Sequence, residues 1–213
     1  MTQGKSCQES EILKIGVPKE PENENRVAIV PSSMKKLAKA GFEVLIEKGA
    51  GVHANYNDSD YEAAGAILAD REAVMSCPNI IAINFPGVEG ISEGTNLVCV
   101  ADPFRNPENV KQCMKGNITL MSMDMIPRRL SRAQSMDVNS SQDNLSGYKA
   151  VLLGAANVPK GIPMMTTSAG TVRPAKVVVM GSGVAGLQAI ATAKRLGACL
   201  LYTSDAADDG VGV

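Results

Sequence analysis

Tryptophan is absent from this sequence, histidine occurs once, and aromatic residues make up only 3% of its 213 residues. Any core must therefore be built from aliphatic and small side chains. Proton relay through histidine has a single candidate, His53, and its place in the loop GAGVHANYND reads as a surface position. No apolar run approaches the roughly 18–20 residues of a membrane span. The opening MTQGKSCQESEILK lacks the apolar core of a signal peptide. Surplus basic charge is missing too: the formal net charge is -1, which argues against the electrostatic footprint of a nucleic-acid binder. Cys7, Cys77, Cys99, Cys113 and Cys199 are odd in number and show no CxxC spacing. They read as reduced cytosolic thiols, not as a disulfide or zinc framework.

What is present is an apolar supply of 45% against 20% charged residues, enough for a sizeable core. Short apolar segments at 13–17, 43–47, 66–68, 80–83, 97–100 and 118–121 read as strands. Between them lie helix signals. Ser32 or Ser33 can cap a helix over 34–40, which Gly41 ends, and Asp58 or Ser59 can cap another that runs to Ala64. Pro107 suits the first turn of a helix over 107–115. Strands alternating with helices imply a parallel sheet covered on both faces. After the polar stretch MDMIPRRLSRAQSMDVNSSQD, a helix is expected over 144–156, followed by the Pro- and Gly-punctuated connection VPKGIPMMTTSAGTVRP.

The segment 176–198, KVVVMGSGVAGLQAIATAKRLGA, is a strand, a glycine turn and a helix in succession. Gly181 permits the tight turn, Gly183 lets backbone approach a pyrophosphate, and Gly186 allows the helix to pack closely on the strand. The first helical N–H groups, beginning at Val184, would then face the phosphates. The expected fold class is α/β with two Rossmann-like parallel-sheet domains, the second, NAD-binding one incomplete. The expected organisation is 1–12 flexible, 13–138 the first α/β domain, 139–175 a linking helix and connection, and 176–198 the start of the dinucleotide domain. Residues 199–213 carry CLLYTSDAAD, which resembles the in-frame translation of a transposase-type sequencing adapter, so they are expected to be non-native. The other reading is a short genuine strand, with Asp205 in the ribose-binding position.

Three blocks, IGVPKEPENENRVAIVPSSMKKLAKAGFEVLIEKGAG, MDMIPRRLSRAQSMDVNSSQDNLSGYKAVL and GTVRPAKVVVMGSGVAGLQAIATAKRLGA, resemble the NAD(H)-binding alpha subunit of proton-translocating NAD(P) transhydrogenases. The resemblance spans about 14–198. It implies hydride transfer from NADH to NADP+ coupled to proton movement, NAD(H) as cofactor, and NADP(H) on a partner subunit. It further implies a homodimer, membrane-embedded and NADP(H)-binding partner subunits, and a cytoplasmic location peripheral to the inner membrane. The family's loop arginine matches Arg129, with Arg128 as the rival because PRRLSRAQ has one residue more than is usual. Its glutamine, aspartate and serine match Gln134, Asp137 and Ser140. Amide, carboxylate and hydroxyl groups can orient a carboxamide and a ribose, and hydride exchange between nicotinamides chiefly needs the rings held at reacting distance. Read without the resemblance, the same stretch is a solvated loop in which Asp137 and Ser140 serve as helix caps.

The related alanine dehydrogenases offer the alternative reading, in which an arginine matching Arg26 holds a substrate carboxylate. Ala82 and Asn84 stand where those enzymes carry lysines, and the stretch VCVADPF has no histidine. Amino-acid oxidation is then left without an obvious proton acceptor. The third reading is a non-catalytic fragment.

Overall fold

The computed structural model describes residues 13–203. The chain divides into two compact units, Met1–Pro127 and Arg128–Val213.

The first unit contains strands β1 (Leu13–Val17), β2 (Phe42–Glu47), β3 (Ile67–Ala69), β4 (Asn79–Asn84), β5 (Asn96–Val100) and β6 (Thr119–Ser122), with helices α1 (Met34–Lys39), α2 (Asp58–Ala63), α3 (Arg71–Met75) and α4 (Pro107–Lys115). The strands form one sheet in the order β3-β2-β1-β4-β5-β6, and every pairing is parallel. Parallel strands need both faces covered. One apolar cluster gathers Ile15, Val17, Val27, Ile29, Val44, Ile46 and Tyr61, and a second gathers Met75, Ile80, Leu97, Cys99, Cys113 and Ile118. Tyr61 is fully buried. Its hydroxyl donates to the Ile29 carbonyl at 2.9 Å, so the polar tip carries no unmet desolvation cost. The chain order reverses between β1 and β4, which makes the carboxyl ends of those strands the natural crevice of this sheet.

The second unit begins with the loop 128–137 and continues through helix α5 (Val138–Asn157), the antiparallel hairpin β7 (Met165–Thr167) and β8 (Gly170–Val172), then β9 (Lys176–Met180), helix α6 (Val184–Arg195) and β10 (Cys199–Thr203). β9 and β10 pair in parallel from Cys199 beside Lys176 to Thr203 beside Met180, so β9–α6–β10 is a βαβ unit. The expected helix over 144–156 starts earlier, at Val138, because Asp137 caps it. The two compact units meet at Pro127 and Arg128, and the loop that follows runs directly into the α5 cap. The connection after α5 contains the short hairpin, which the sequence reading treats as irregular. Asp205 lies outside the described residues. Among the described residues no helix is long and apolar enough to cross a membrane, and Cys77, Cys99, Cys113 and Cys199 are free thiols.

α5 meets α6 at Gly147. A Cβ there would sit 2.0 Å from the carbonyl oxygen of Ala185, in the first turn of α6. Only hydrogen fits, and a methyl would force the helices apart. Gly147→Ala is expected to destabilise the second unit by about 1–3 kcal/mol, the usual range for overpacking a tight contact. Urea unfolding followed by circular dichroism measures this; a variant as stable as the parent would show that the helices slide without cost.

Candidate functional site

β9 is a run of valines that ends at Met180, and the chain turns at Gly181, whose φ of 100° is a conformation side chains disfavour. Gly183 is the N-cap of α6 and offers no capping side chain, and the first turn holds no acidic residue. The N–H groups that open α6, starting at Val184, therefore point outward without an intrahelical acceptor, the arrangement that receives a phosphate or other anion. Gly186 closes this turn. A Cβ on it would lie 2.0 Å from the carbonyl oxygen of Gly181, so the helix can start this close to the strand only with glycine there. The structure thus brings Gly181, Gly183, Val184 and Gly186 into one strand–turn–helix cradle, in which the absence of a Cβ at Gly186 admits the Gly181 carbonyl and the uncapped N–H groups of the helix start suit a pyrophosphate.

The second cluster is the loop before α5. Ala133 is buried and anchors a single turn at Gln134–Met136. Asp137 then caps α5: its carboxylate accepts from the Ser140 backbone N–H at 2.9 Å and from the Ser140 hydroxyl at 2.6 Å. The Ser141 hydroxyl donates to the Asp137 carbonyl at 3.0 Å. The Ser140 hydroxyl first, and then the Ser140 backbone N–H, hold the Asp137 carboxyl below the ordinary carboxylate range; the Arg128 guanidinium adds to the effect and desolvation opposes it. Asp137 and Ser140 are in direct contact: Asp137 is the helix cap, and Ser140, expected as a second cap, is instead the third residue of α5 and supplies the N–H that Asp137 receives. Gln134 and Arg129 are exposed on the same loop. Among the described residues neither side chain makes a hydrogen bond or ion pair with Asp137 or Ser140, although the Gln134 backbone carbonyl accepts from the Asp137 N–H at 3.3 Å. The loop and the glycine cradle belong to one unit, linked by the contact of α5 on α6. That link escapes the sequence reading, whose only available signal is the glycine in NLSGYK.

In the first unit, the sequence reading names Arg26 and Asn84 but misses Glu20. This carboxylate is 8% exposed. It accepts from the backbone N–H groups of Ile83 at 2.6 Å and Asn84 at 3.1 Å, and from the Asn84 side-chain amide at 3.1 Å. The Asn84 amide also reaches Glu24 at 3.2 Å. Glu24 in turn receives Arg26 through its backbone N–H at 3.0 Å, Nε at 2.8 Å and Nη2 at 2.6 Å. Asn84, where a lysine is expected in alanine dehydrogenases, is a neutral bridge between two carboxylates. Beside it, a cavity of about 290 Å³ lies at the carboxyl ends of β1, β2 and β4, bordered by Lys19, Glu20, Glu47, Arg71, Asn84 and Phe85. His53 is exposed. Among the described residues no group of three or more His, Cys, Asp or Glu could hold a metal ion.

The Arg26 hydrogen bond, against an opposing contribution from burial, pulls the Glu24 carboxyl from 4.5 to about 2. A carboxyl depressed by folding stabilises the protein above its unfolded value and loses that contribution as pH falls through the folded one. Stability is thus expected to fall from about pH 4.5 toward pH 2, and less steeply in Glu24→Gln. Urea midpoints across that range check this, and parallel profiles for the two proteins would contradict it.

The alanine dehydrogenase/PNT N-terminal domain model matches residues 16–146, and the C-terminal domain model of the same family matches residues 150–207. An NAD(P) transhydrogenase subunit alpha polypeptide of Rhodospirillum rubrum is 47% identical over 202 residues, covering 90% of this chain and 52% of that protein. The crystal structure of transhydrogenase from Sinorhizobium meliloti superposes with a TM-score of 0.86 at 42% identity, over 90% of this chain and 58% of that one. An L-alanine dehydrogenase structure gives a TM-score of 0.78 at 26% identity, over 90% of this chain and 61% of that one. The chain spans about half the length of the curated relative from Rhodospirillum rubrum. With both domain models matched in order along its length, the chain belongs to the alanine dehydrogenase/PNT family and within it is similar to NAD(P) transhydrogenase alpha subunits.

Proposed function

We propose that this chain is the NAD(H)-binding component of a proton-translocating transhydrogenase. The observation that carries the reading is the open N-terminus of α6 behind Gly181 and Gly183, packed on the same helix whose N-terminal loop displays Gln134, Asp137 and Ser140. The backbone at Gly181, Gly183, Val184 and Gly186 would receive the pyrophosphate. Gln134 would meet the carboxamide, with Ser140 and Asp137 beside the ribose, and a loop guanidinium would complement charge near the reacting ring. Bound NADH supplies the hydride. The protein's task is to hold and orient the ring, because exchange between two nicotinamides requires no proton from a side chain. Ala82 and Asn84 in place of lysines favour this over amino-acid oxidation, which has to move a proton. NADP(H) on a partner subunit, a membrane-embedded subunit that conducts protons, a homodimeric state and a peripheral site on the cytoplasmic face of the inner membrane complete the proposal.

Calorimetry with the whole chain tests it. NADH is expected to bind with one molecule per chain. Gln134→Ala is expected to weaken NADH by about tenfold, the equivalent of one or two hydrogen bonds, and to leave ADP-ribose unchanged because that ligand lacks nicotinamide. Absence of any NADH binding would overturn the reading, and oxidation of NADH that requires both pyruvate and ammonium would replace it with the alanine dehydrogenase alternative.

A further inference from the structure

Two adjacent arginines open the loop 128–137, and the structure treats them differently. Arg128 Nε lies 3.6 Å from one Asp137 oxygen, and its Nη2 lies 3.5 Å from an Asp143 oxygen. The Asp137 side chain is only 11% exposed, whereas those of Arg128 and Asp143 are about half exposed. Arg129 is exposed and makes no ion pair or hydrogen bond among the described residues. We propose that Arg128 is a positioning residue that clamps the loop onto the start of α5 through Asp137 and Asp143, leaving Arg129 as the guanidinium that meets the dinucleotide.

The clamp follows from guanidinium geometry. A planar fork presents donors on fixed vectors and can address two carboxylates at once, whereas an ammonium is a point charge on a flexible stem. Asp137 already accepts two hydrogen bonds from Ser140, so Arg128 adds a tether back to the loop on a carboxylate whose orientation the cap has fixed. Asp143 supplies the second anchor, farther along α5. Charge points the same way. Asp137 and Asp143 together place two negative charges near the start of α5, and a dinucleotide brings more. A guanidinium held between the carboxylates offsets their repulsion, and one committed there is not available to the ligand. The role given to Arg129 rests on the proposed NAD(H) site; the clamp does not.

The experiment combines hydrogen exchange of the amides over 129–137 with NADH calorimetry on the full chain. Arg128→Gln and Asp143→Asn are each expected to speed loop exchange about tenfold, with the double variant no faster than Arg128→Gln alone. NADH affinity is expected to fall about fivefold in Arg128→Gln, threefold in Asp143→Asn, and fivefold, not fifteenfold, in the double variant, since both side chains act through one clamp. Arg128→Lys is expected to recover part of the affinity but little of the exchange protection. Arg129→Gln is expected to exchange like the parent and to bind NADH about tenfold more weakly. Parent-like loop exchange in Arg128→Gln and Asp143→Asn, or additive losses of affinity, would overturn the clamp. Parent-like NADH binding by Arg129→Gln would overturn its assignment. Failure of the unmodified chain to bind NADH would overturn the proposed function and the Arg129 role with it, while the exchange rates would still decide the clamp.

Discussion

Helix α5 rests on the first turn of α6 with no side chain between them at Gly147, where a single methyl would press to 2.0 Å from the Ala185 carbonyl. Most of the second unit's chemistry depends on that contact. α6 begins at the glycine cradle, and α5 begins at the Asp137 cap, so bringing the two helices together also fixes the cradle against the loop. From Asp137 to Gly147 the chain climbs roughly ten residues, or about 15 Å at helical rise. A dinucleotide laid from cradle to loop needs a span of that order. Close packing of this kind is stiff, which suits the proposed task of holding a nicotinamide ring in place.

The rest of the second unit shows how little polar machinery such a site uses. Asp137 and Ser140 satisfy each other and the helix start, and in the proposed function the same two residues would also stand beside the dinucleotide. The two readings of this stretch, helix caps or ligand contacts, are therefore compatible. In the first unit the charged groups near the carboxyl ends of β1 and β4 are turned inward on one another. Glu20, Asn84, Glu24 and Arg26 form a chain of hydrogen bonds in which the neutral amide of Asn84 joins two carboxylates.

Much of this was legible in the residues because local signals and tertiary outcome agree. The helix over 107–115 has proline at its first turn and emerges with those bounds; the valine run, the three glycines and the following helix appear as β9, the cradle and α6. The parallel sheet follows from short apolar strands spaced by helices. Other features depend on contacts that no local pattern encodes. The start of α5 reads VNSSQDN, polar residues with no apolar period, and only the Asp137 cap marks it as helix. Gly147 looks like a helix-weakening residue until Ala185 is placed against it. Glu20 looks like one more acid in a charged loop until the β4 backbone folds over it. Arg128 and Arg129 are chemically identical in sequence and separate only when Asp143 is brought within reach.

Amide chemical shifts on titration with NADH and with ADP-ribose decide whether the cradle and the loop before α5 form one nucleotide site. NADH is expected to move two sets of resonances in the second unit, Val184 to Gly186 at the cradle and Gln134 with Ser140 at the loop; ADP-ribose, which keeps the ribose and lacks the nicotinamide, is expected to move the cradle and Ser140 but not Gln134. Shifts confined to the first unit, or no shift at either place, would contradict this.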